Sequence, residues 1–342
     1  MTEATGATGG ARKAAASYMV AEEAGVSQSA VSRAYKSGGS VSKATREKIY
    51  AAGQKLGYRP NAIARSLISK QSNMIGIVMA DITNPFYSSV LEVFLQKLQA
   101  EGQKAIVLVA TRDQDVDDLL PQLLEYQVDG LVVTSATLSS EMGRTLSDMG
   151  VPVVMFNRSV PDSHSTSICC DNNSAGRQVA QLFFDRGMRN VAYIAGIENT
   201  STNQDRRAGF LKRSKELGLS VTGQVQGFYT YDGGYQAALA LCASQAPEAI
   251  FCANDIMAMG AMDALRYELK LSIPEQVSVM GFDDINSAHW PVYDLTTFRM
   301  PIERMVTRSI ENLLVNKQRE NRVLATETLA VELVLRGSVR SV

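Results

Sequence analysis

From Met74 onward, short apolar runs alternate with amphipathic stretches, and this pattern restricts the fold more than any other feature of the chain. Apolar runs fall at Ile75–Ala80, Ala105–Ala110, Gly130–Thr134, Val153–Phe156, Ser167–Cys170, Val191–Ala195, Ala249–Cys252 and Ser278–Gly281. Helical periodicity covers Val90–Ala100, Leu119–Tyr126, Ala175–Arg186, Arg207–Lys215, Gly234–Ala243 and Met257–Leu269 between them. Strands separated by helices run parallel, because a parallel return needs a crossover long enough to hold a helix, and the helices then cover both faces. Roughly 260 residues of this texture are large for one sheet, so two doubly wound lobes are expected. A ligand then belongs where strand ends from both lobes face each other.

The stretch Met19–Leu67 has a different grain. A helix Tyr18–Ala24 ends at Gly25, the residue a tight turn between helices favours. Ser27 is placed to cap the next helix, with Val26 and Val31 as a hydrophobic staple, and Ala30 and Ala34 let that helix pack closely on the first. Gln28, Ser29, Ser32 and Arg33 are left on its outer face, where short polar side chains and one arginine suit the base edges of a DNA major groove. A solvated helical hairpin would have the same outline. After the loop Lys36–Val41, Ser42 caps a third helix with Ile49, Ala52 and Leu56 at helical spacing, ended by Gly57. Asn61 can cap Ala62–Leu67, a segment too short to hold a helix alone in water.

Charge separates the reader from the hairpin. Residues 1–70 carry 11 Lys/Arg against 4 Asp/Glu, while the rest carry 23 against 31, so a net charge of −1 hides a basic head on an acidic body. That is the electrostatic footprint of a nucleic-acid-binding module joined to something else. Cys169, Cys170, Cys242 and Cys252 have neither metal-ligand nor redox spacing and fit reduced, buried thiols. The start MTEATGATGG has no apolar signal core and no run is long enough to span a membrane, so a soluble cytoplasmic protein is expected.

The motifs AGVSQSAVSR, GYRPNAIARSL, ANDIMAMGAMDAL and SIPEQVSVMGFDDI, the last followed by LTTFR, occur in this order. With them the chain resembles the lactose-repressor (LacI/GalR) family of bacterial transcription regulators over nearly its whole length after residue 15. Ala30 and Lys36 depart from the family's usual threonine and asparagine, which leaves the fold reading intact and alters the expected operator. The resemblance implies an α/β protein: an N-terminal helix-turn-helix domain, then a two-lobed, doubly wound parallel-sheet domain like a periplasmic binding protein. The expected boundaries are a tail at 1–17, the DNA-binding domain at 18–59 and a hinge helix and linker at 60–72. The effector and dimerisation domain follows at 73–342, with one lobe at about 73–172 and 299–342 and the other at about 173–298.

On the DNA side, the resemblance implies that Ser27, Gln28, Ser29, Ser32 and Arg33 meet the major groove. It also implies that Asn61, Ala62, Arg65 and Leu67 belong to the hinge, with Leu67 wedged into a base step of the minor groove. A two-fold dimer then fits a near-palindromic double-stranded operator. The implied effector contacts are Asn84, Phe86, Arg177, Arg206, Tyr229, Asn254 and Asp283, with Asp284 the structural carboxylate of its turn. This set suits a hydroxylated ligand, a sugar or sugar acid, and Arg177 with Arg206 tilts it towards an acidic or phosphorylated one. Trp290 fits either a pocket wall or dimer packing. The last strand-like segment, Thr326–Leu335, carries no leucine-heptad tail, so a homodimer is expected rather than a tail-tethered tetramer.

An enzyme is disfavoured. His164 and His289 both sit in polar surroundings, and GxSxG, Walker-type and GxGxxG loops are all absent from the sequence, so neither cofactor nor metal is expected. A periplasmic sugar-binding protein without DNA function is the nearest rival, and the basic head argues against it.

Overall fold

Three helices account for the early part of the chain: α1 (Ser17–Ala24), α2 (Gln28–Ala34) and α3 (Lys43–Leu56). Gly25 leaves α1 with φ 63°, a left-handed conformation that glycine adopts without a Cβ penalty. The Ser27 Oγ accepts from the Ala30 N–H at 3.3 Å, and the Ser42 Oγ accepts from the Thr45 N–H at 3.2 Å, so both expected caps form. Val20, Val31 and Ile49 are fully buried where the helices meet. Tyr35 closes the edge of this core, its ring 5.0 Å from that of Tyr50 and 5.5 Å from that of Tyr58. A side chain at Gly53 would strike the Tyr35 hydroxyl.

The computed structural model describes residues 16–36, 38–59, 71–110, 116–134, 138–160, 164–316 and 324–341. The chain divides into two units, Met1–Ser72 and Asn73–Val342. The second unit opens with β1 (Met74–Met79), α4 (Pro85–Ala100), β2 (Lys104–Val109), α5 (Leu120–Glu125), β3 (Gly130–Thr134), α6 (Ser140–Asp148), β4 (Val153–Phe156) and β5 (Thr166–Cys170). It continues through α7 (Asn172–Asp185), β6 (Asn190–Ala195), α8 (Ser201–Leu217), β7 (Ser220–Gln226), α9 (Tyr231–Leu241), β8 (Ala249–Cys252), α10 (Asp255–Asp263) and β9 (Ser278–Met280). The last elements are β10 (Thr297–Arg299), α11 (Ile302–Asn316), β11 (Thr326–Leu329) and β12 (Glu332–Val334).

These strands build two parallel sheets, in the orders β11-β5-β4-β3-β1-β2 and β7-β6-β8-β9. β1, β3, β4 and β5 are buried along almost their whole length because helices cover both faces, which is why they read as unbroken apolar runs. β10 and β12 form a separate antiparallel ribbon that pairs Thr297 with Val334, Phe298 with Leu333 and Arg299 with Glu332. The chain thus passes between lobes after β5, returns through β10 to α11, and passes over again through β12.

One expected boundary is corrected here. The stretch 299–342 does not all belong to the first lobe: past β12, the Ser338 carbonyl accepts from the Val279 N–H at 2.8 Å and its hydroxyl donates to the Val279 carbonyl at 2.7 Å. The final residues therefore pair with β9 in the second lobe. Four elements were not among those expected, the short β10 being one. β7 is an edge strand whose residues alternate between exposed and half-buried, so its sequence SVTGQVQ has no apolar run. α6 and α11 likewise carry a polar face along most of their length. Among the described residues, no helix is long and apolar enough to cross a membrane.

Candidate functional site

In the first unit, Ser27, Gln28, Ser29, Ser32 and Arg33 are all exposed, on the side of α2 opposite the buried Ala30, Val31 and Ala34. The face is partly ordered by its own hydrogen bonds: the Gln28 amide donates to the Ser17 Oγ at 2.8 Å, and the Ser27 and Ser29 hydroxyls lie 3.0 Å apart. Beyond α2, the Arg46 guanidinium donates to the Gly39 carbonyl at 2.7 Å and so steadies the loop into α3. Asn61, Ala62, Arg65 and Leu67 lie outside the described residues.

In the second unit, the polar residues gather at the carboxyl ends of the strands, as doubly wound sheets favour. Arg206 on α8 is the centre. It is only 2 % exposed, yet it is a full charge. Its Nε donates to the Asn172 Oδ1 at 2.8 Å, its Nη1 donates to the Ala253 carbonyl, and its Cζ stands 3.4 Å from the centre of the Phe282 ring. Nη2 is buried with no partner. The helix is seated by two glycines, because a methyl group at Gly176 would run into the Arg206 carbonyl and one at Gly209 into the Asn173 carbonyl.

Asp283 lies 4.0 Å from the Arg206 Nη1 and is almost as deeply buried. Burial raises its carboxyl well above the usual carboxylate range, while Arg206 pulls the other way; in a cleft with so little water, burial dominates. Asn254 is buried and caps α10, accepting from the Met257 N–H at 3.1 Å. Tyr229, at φ 58°, lies flat against Gly196 and shares its hydroxyl with Thr202 (3.1 Å) and Thr200 (3.4 Å). Asn84 caps α4 by accepting from the Phe86 N–H at 3.0 Å, and Phe86 packs edge-on against Tyr87.

Arg177 is not brought to this set. It sits on the outer side of α7 in a two-pronged pair with Glu216, at 3.1 and 2.9 Å, which with Arg213 holds the Glu216 carboxyl down at about 2. The spacing of Arg177 along α7 turns it towards α8's surface rather than towards the strand ends. Arg177→Ala is therefore expected to leave effector affinity within about twofold of wild type, since an exposed pair contributes little and nothing of it faces the cleft; titration calorimetry with any bound effector checks this.

Two residues absent from the expected set do face the cleft. Asn157 and Arg158 follow β4 and are buried, with the Asn157 Oδ1 and the Arg158 Nε and Nη1 lacking partners. The next residue, Ser159, donates its N–H to the Ser201 Oγ at 3.0 Å, across to the start of the helix that carries Arg206. The Tyr87 hydroxyl feels Arg158, Asp283, Tyr229 and Arg206 together, although burial is what chiefly raises it. The signal that could have found this pair was position alone: they stand at a strand's carboxyl end.

Around the cleft, buried carboxylates fix the connections. Asp255 accepts from the Thr297 hydroxyl at 2.6 Å and from the Ile285 N–H at 2.9 Å, and burial pushes its carboxyl up to about 6 despite both bonds. Asp284 accepts from the Arg299 Nε at 2.7 Å and from the Arg336 Nη2 at 2.6 Å. Asp255 and Asp283 hold protons in the folded chain that the unfolded chain has already released above a pH of roughly 4. The folded state thus binds more protons between about 4 and 6, so stability falls as the pH rises through that window. Glu216 and Glu248, whose carboxyls are lowered, act only below their ordinary range and leave this window clear. The melting temperature is expected to be higher at pH 5.5 than at 7.5, and Asp255→Asn should flatten that difference. Among the described residues, no group of three His, Cys, Asp or Glu could hold a metal ion.

Comparison with known proteins agrees with both units. Residues 18–61 match the family model of bacterial regulatory proteins of the lacI family, and residues 72–323 match that of periplasmic binding proteins and the sugar-binding domain of the LacI family. The HTH-type transcriptional repressor PurR of Pectobacterium carotovorum subsp. carotovorum (strain PC1) is 32% identical over 310 residues, 88% of this chain and 91% of that one. The lac repressor dimer bound to operator and the anti-inducer ONPF superposes with a TM-score of 0.87 at 26% identity, covering 96% of this chain and 100% of that one. A complex of the transcriptional regulator CelR with cellobiose gives a TM-score of 0.70 at 27% identity, over 95% and 99% of the two chains. A helix-turn-helix head and a two-lobed effector domain in one chain favour a DNA-binding transcription regulator over a periplasmic carrier. The chain belongs to the lacI family of bacterial regulatory proteins.

Proposed function

We propose that this regulator is a cytoplasmic repressor that holds a near-palindromic operator as a homodimer and changes its grip when a small hydroxylated effector, a sugar or sugar acid, enters the cleft. It acts by binding and not by catalysis. The carrying observation is the buried polar set around Arg206, whose Nη2 has no partner inside the protein. Such groups are expensive to bury unpaired, and ligand oxygens satisfy them. Asp283, Asn254 and Asn157 are chemically suited to hydroxyls, and Tyr229 and Phe86 to the C–H face of a ring. On the DNA side, Gln28, Ser29, Ser32 and Arg33 form the reading surface, and the expected hinge Asn61–Leu67 adds the minor-groove contact. The dimer reading is supported by an exposed aromatic face on the second lobe. Tyr267, Trp290 and Val292 lie there beside Tyr231 and Tyr293, which both donate to Asp263. Trp290 at 51 % exposure fits that face better than a pocket wall.

The experiment is operator selection from a random palindromic library, followed by anisotropy titration with and without effector. Arg33→Ala should weaken the selected operator by about 10- to 100-fold, the weight of one base-edge contact. Asp283→Asn should still bind operator but lose its response to the effector. Unchanged operator affinity in the first variant sinks the reading surface; an unchanged response in the second sinks the effector site.

A further inference from the structure

The charges in the cleft do not balance. Arg158 is 6 % exposed and Arg206 is 2 % exposed, and three of their nitrogens (Nε and Nη1 of Arg158, Nη2 of Arg206) are buried without a partner. Against these two cations stands one carboxylate at the cleft, Asp283, 4.0 Å from Arg206. Asp255 is committed to Thr297 and Ile285 within its own lobe. Asp205 and Asp171 are exposed, and Asp171 is occupied in capping Ser174. Asp81 accepts from Thr83 and Asn84. Among the described residues, no carboxylate pairs with Arg158.

A buried guanidinium with no counter-charge is among the most costly arrangements a protein can hold, and the usual resolution is a partner of opposite charge. Arg158 is held at that position by its neighbours: Asn157 N–H donates to the Ile168 carbonyl at 2.8 Å, and Ser159 reaches across to Ser201. It therefore cannot be regarded as a surface side chain folded inward. A neutral sugar offers hydroxyls, which would leave the second positive charge standing. A carboxylate or phosphate offers a planar or tetrahedral set of acceptors that matches guanidinium donors and cancels the charge.

We propose that the effector is anionic, a polyol or sugar bearing a carboxylate or phosphate, and that Arg158 receives that group with Arg206 while Asp283 and Asn157 take its hydroxyls. The inference rests on the effector reading above and goes further in naming the charge class. Burial pushes the Asp283 carboxyl above the usual carboxylate range while Arg206 pulls it down, so at most one negative charge stands against the two guanidiniums.

The test uses the full-length protein, with thermal shift and titration calorimetry at fixed ionic strength. The probes are paired: gluconate, glucuronate and galacturonate, then ribose 5-phosphate and glucose 6-phosphate, each against its neutral parent sugar, with inorganic sulfate against chloride as a ligand-independent arm. An anionic member is expected to bind while its neutral parent does not, and the arm that responds tells carboxylate from phosphate. Arg158→Gln should weaken that anion by about 10- to 100-fold, the weight of a charge-assisted contact, and leave neutral sugars unaffected. Without any ligand, the same variant should melt higher than wild type, because an unpaired buried charge is gone, and should lose any stabilisation by sulfate. Neutral parents binding as tightly as their anionic partners would overturn the proposal. So would Arg158→Gln retaining full anion affinity, or a panel with no binder in which sulfate shifts both proteins alike. A neutral sugar that binds and alters operator affinity would sink the anionic charge class while leaving the effector reading standing. An anion that binds without touching operator affinity would sink the effector reading alone.

Discussion

Arg206→Ala is expected to cost the second unit about 3–5 kcal/mol, the range for deleting one member of a buried charge constellation. It should also abolish effector binding. Arg206 fills the space between Asn172, Ala253 and Phe282, so truncation removes two hydrogen bonds, a ring contact and most of a large side chain's volume at once. It also leaves the buried Asp283 without the guanidinium that lies 4.0 Å from it. For a unit of this size such a loss lowers the melting temperature by on the order of 10 °C. Arg206→Lys separates the two effects. A lysine keeps the charge but cannot donate to Asn172 and Ala253 from one planar fork while offering a third nitrogen to a ligand. That variant should stay folded with a smaller drop in melting temperature and still lose at least about 100-fold in effector affinity. Scanning calorimetry and binding titrations on both variants decide it: an alanine variant as stable as wild type would mean that the buried cluster is not held by Arg206, and a lysine variant with full affinity would mean that the cleft does not use its fork.

Much of this site is legible in the chain because position and chemistry coincide. The apolar runs that become β1, β4, β8 and β9 are uninterrupted, and polar residues of the cleft follow them. Asp283 and Asp284 separate as their context suggests, one facing the buried arginine and the other bound to Arg299 and Arg336. Arg177 and Arg158 show where such reading fails. Both follow strands of the first sheet, yet the helical turn of α7 carries Arg177 out to Glu216, while Arg158 stays buried after the left-handed turn at Asn157, φ 57°, that ends β4. The period of α7, with Val179, Ala180 and Phe183 on its buried face, sets the direction of Arg177, whereas the direction of Arg158 depends on a single left-handed residue in a turn, which no periodicity discloses. The edge strand β7 was hidden for a related reason. Burial on neither face is complete, so its pattern is that of a polar loop.

The second large effect concerns Asp284 and the ribbon that joins the lobes. Its two oxygens hold Arg299, on β10, and Arg336, two residues past the end of β12, so one carboxylate ties both strands of the ribbon to the turn that carries Asp283. The two partners differ in solvent contact: the Arg336 side chain is 14 % exposed and that of Arg299 is 51 % exposed. Water screens the second pair and barely reaches the first, so the two should differ in strength although their lengths are almost equal. Double-mutant cycles with Asp284→Ala are expected to give a coupling of about 2–3 kcal/mol with Arg336→Ala and under about 1 kcal/mol with Arg299→Ala. Arg336 also donates to the Leu295 carbonyl at 2.7 Å, which keeps it in place when Asp284 is removed and makes the cycle a measure of the pair itself. Because Asp283 is the next residue, loosening this turn should also separate effector binding from its consequence. Asp284→Ala is expected to retain effector affinity within about threefold and to lose most of the effector's influence on operator affinity, since coupling requires that the ligand stabilise one arrangement of the lobes over another. Equal couplings at Arg299 and Arg336, or an unaltered operator response, would show that the ribbon moves independently of the turn.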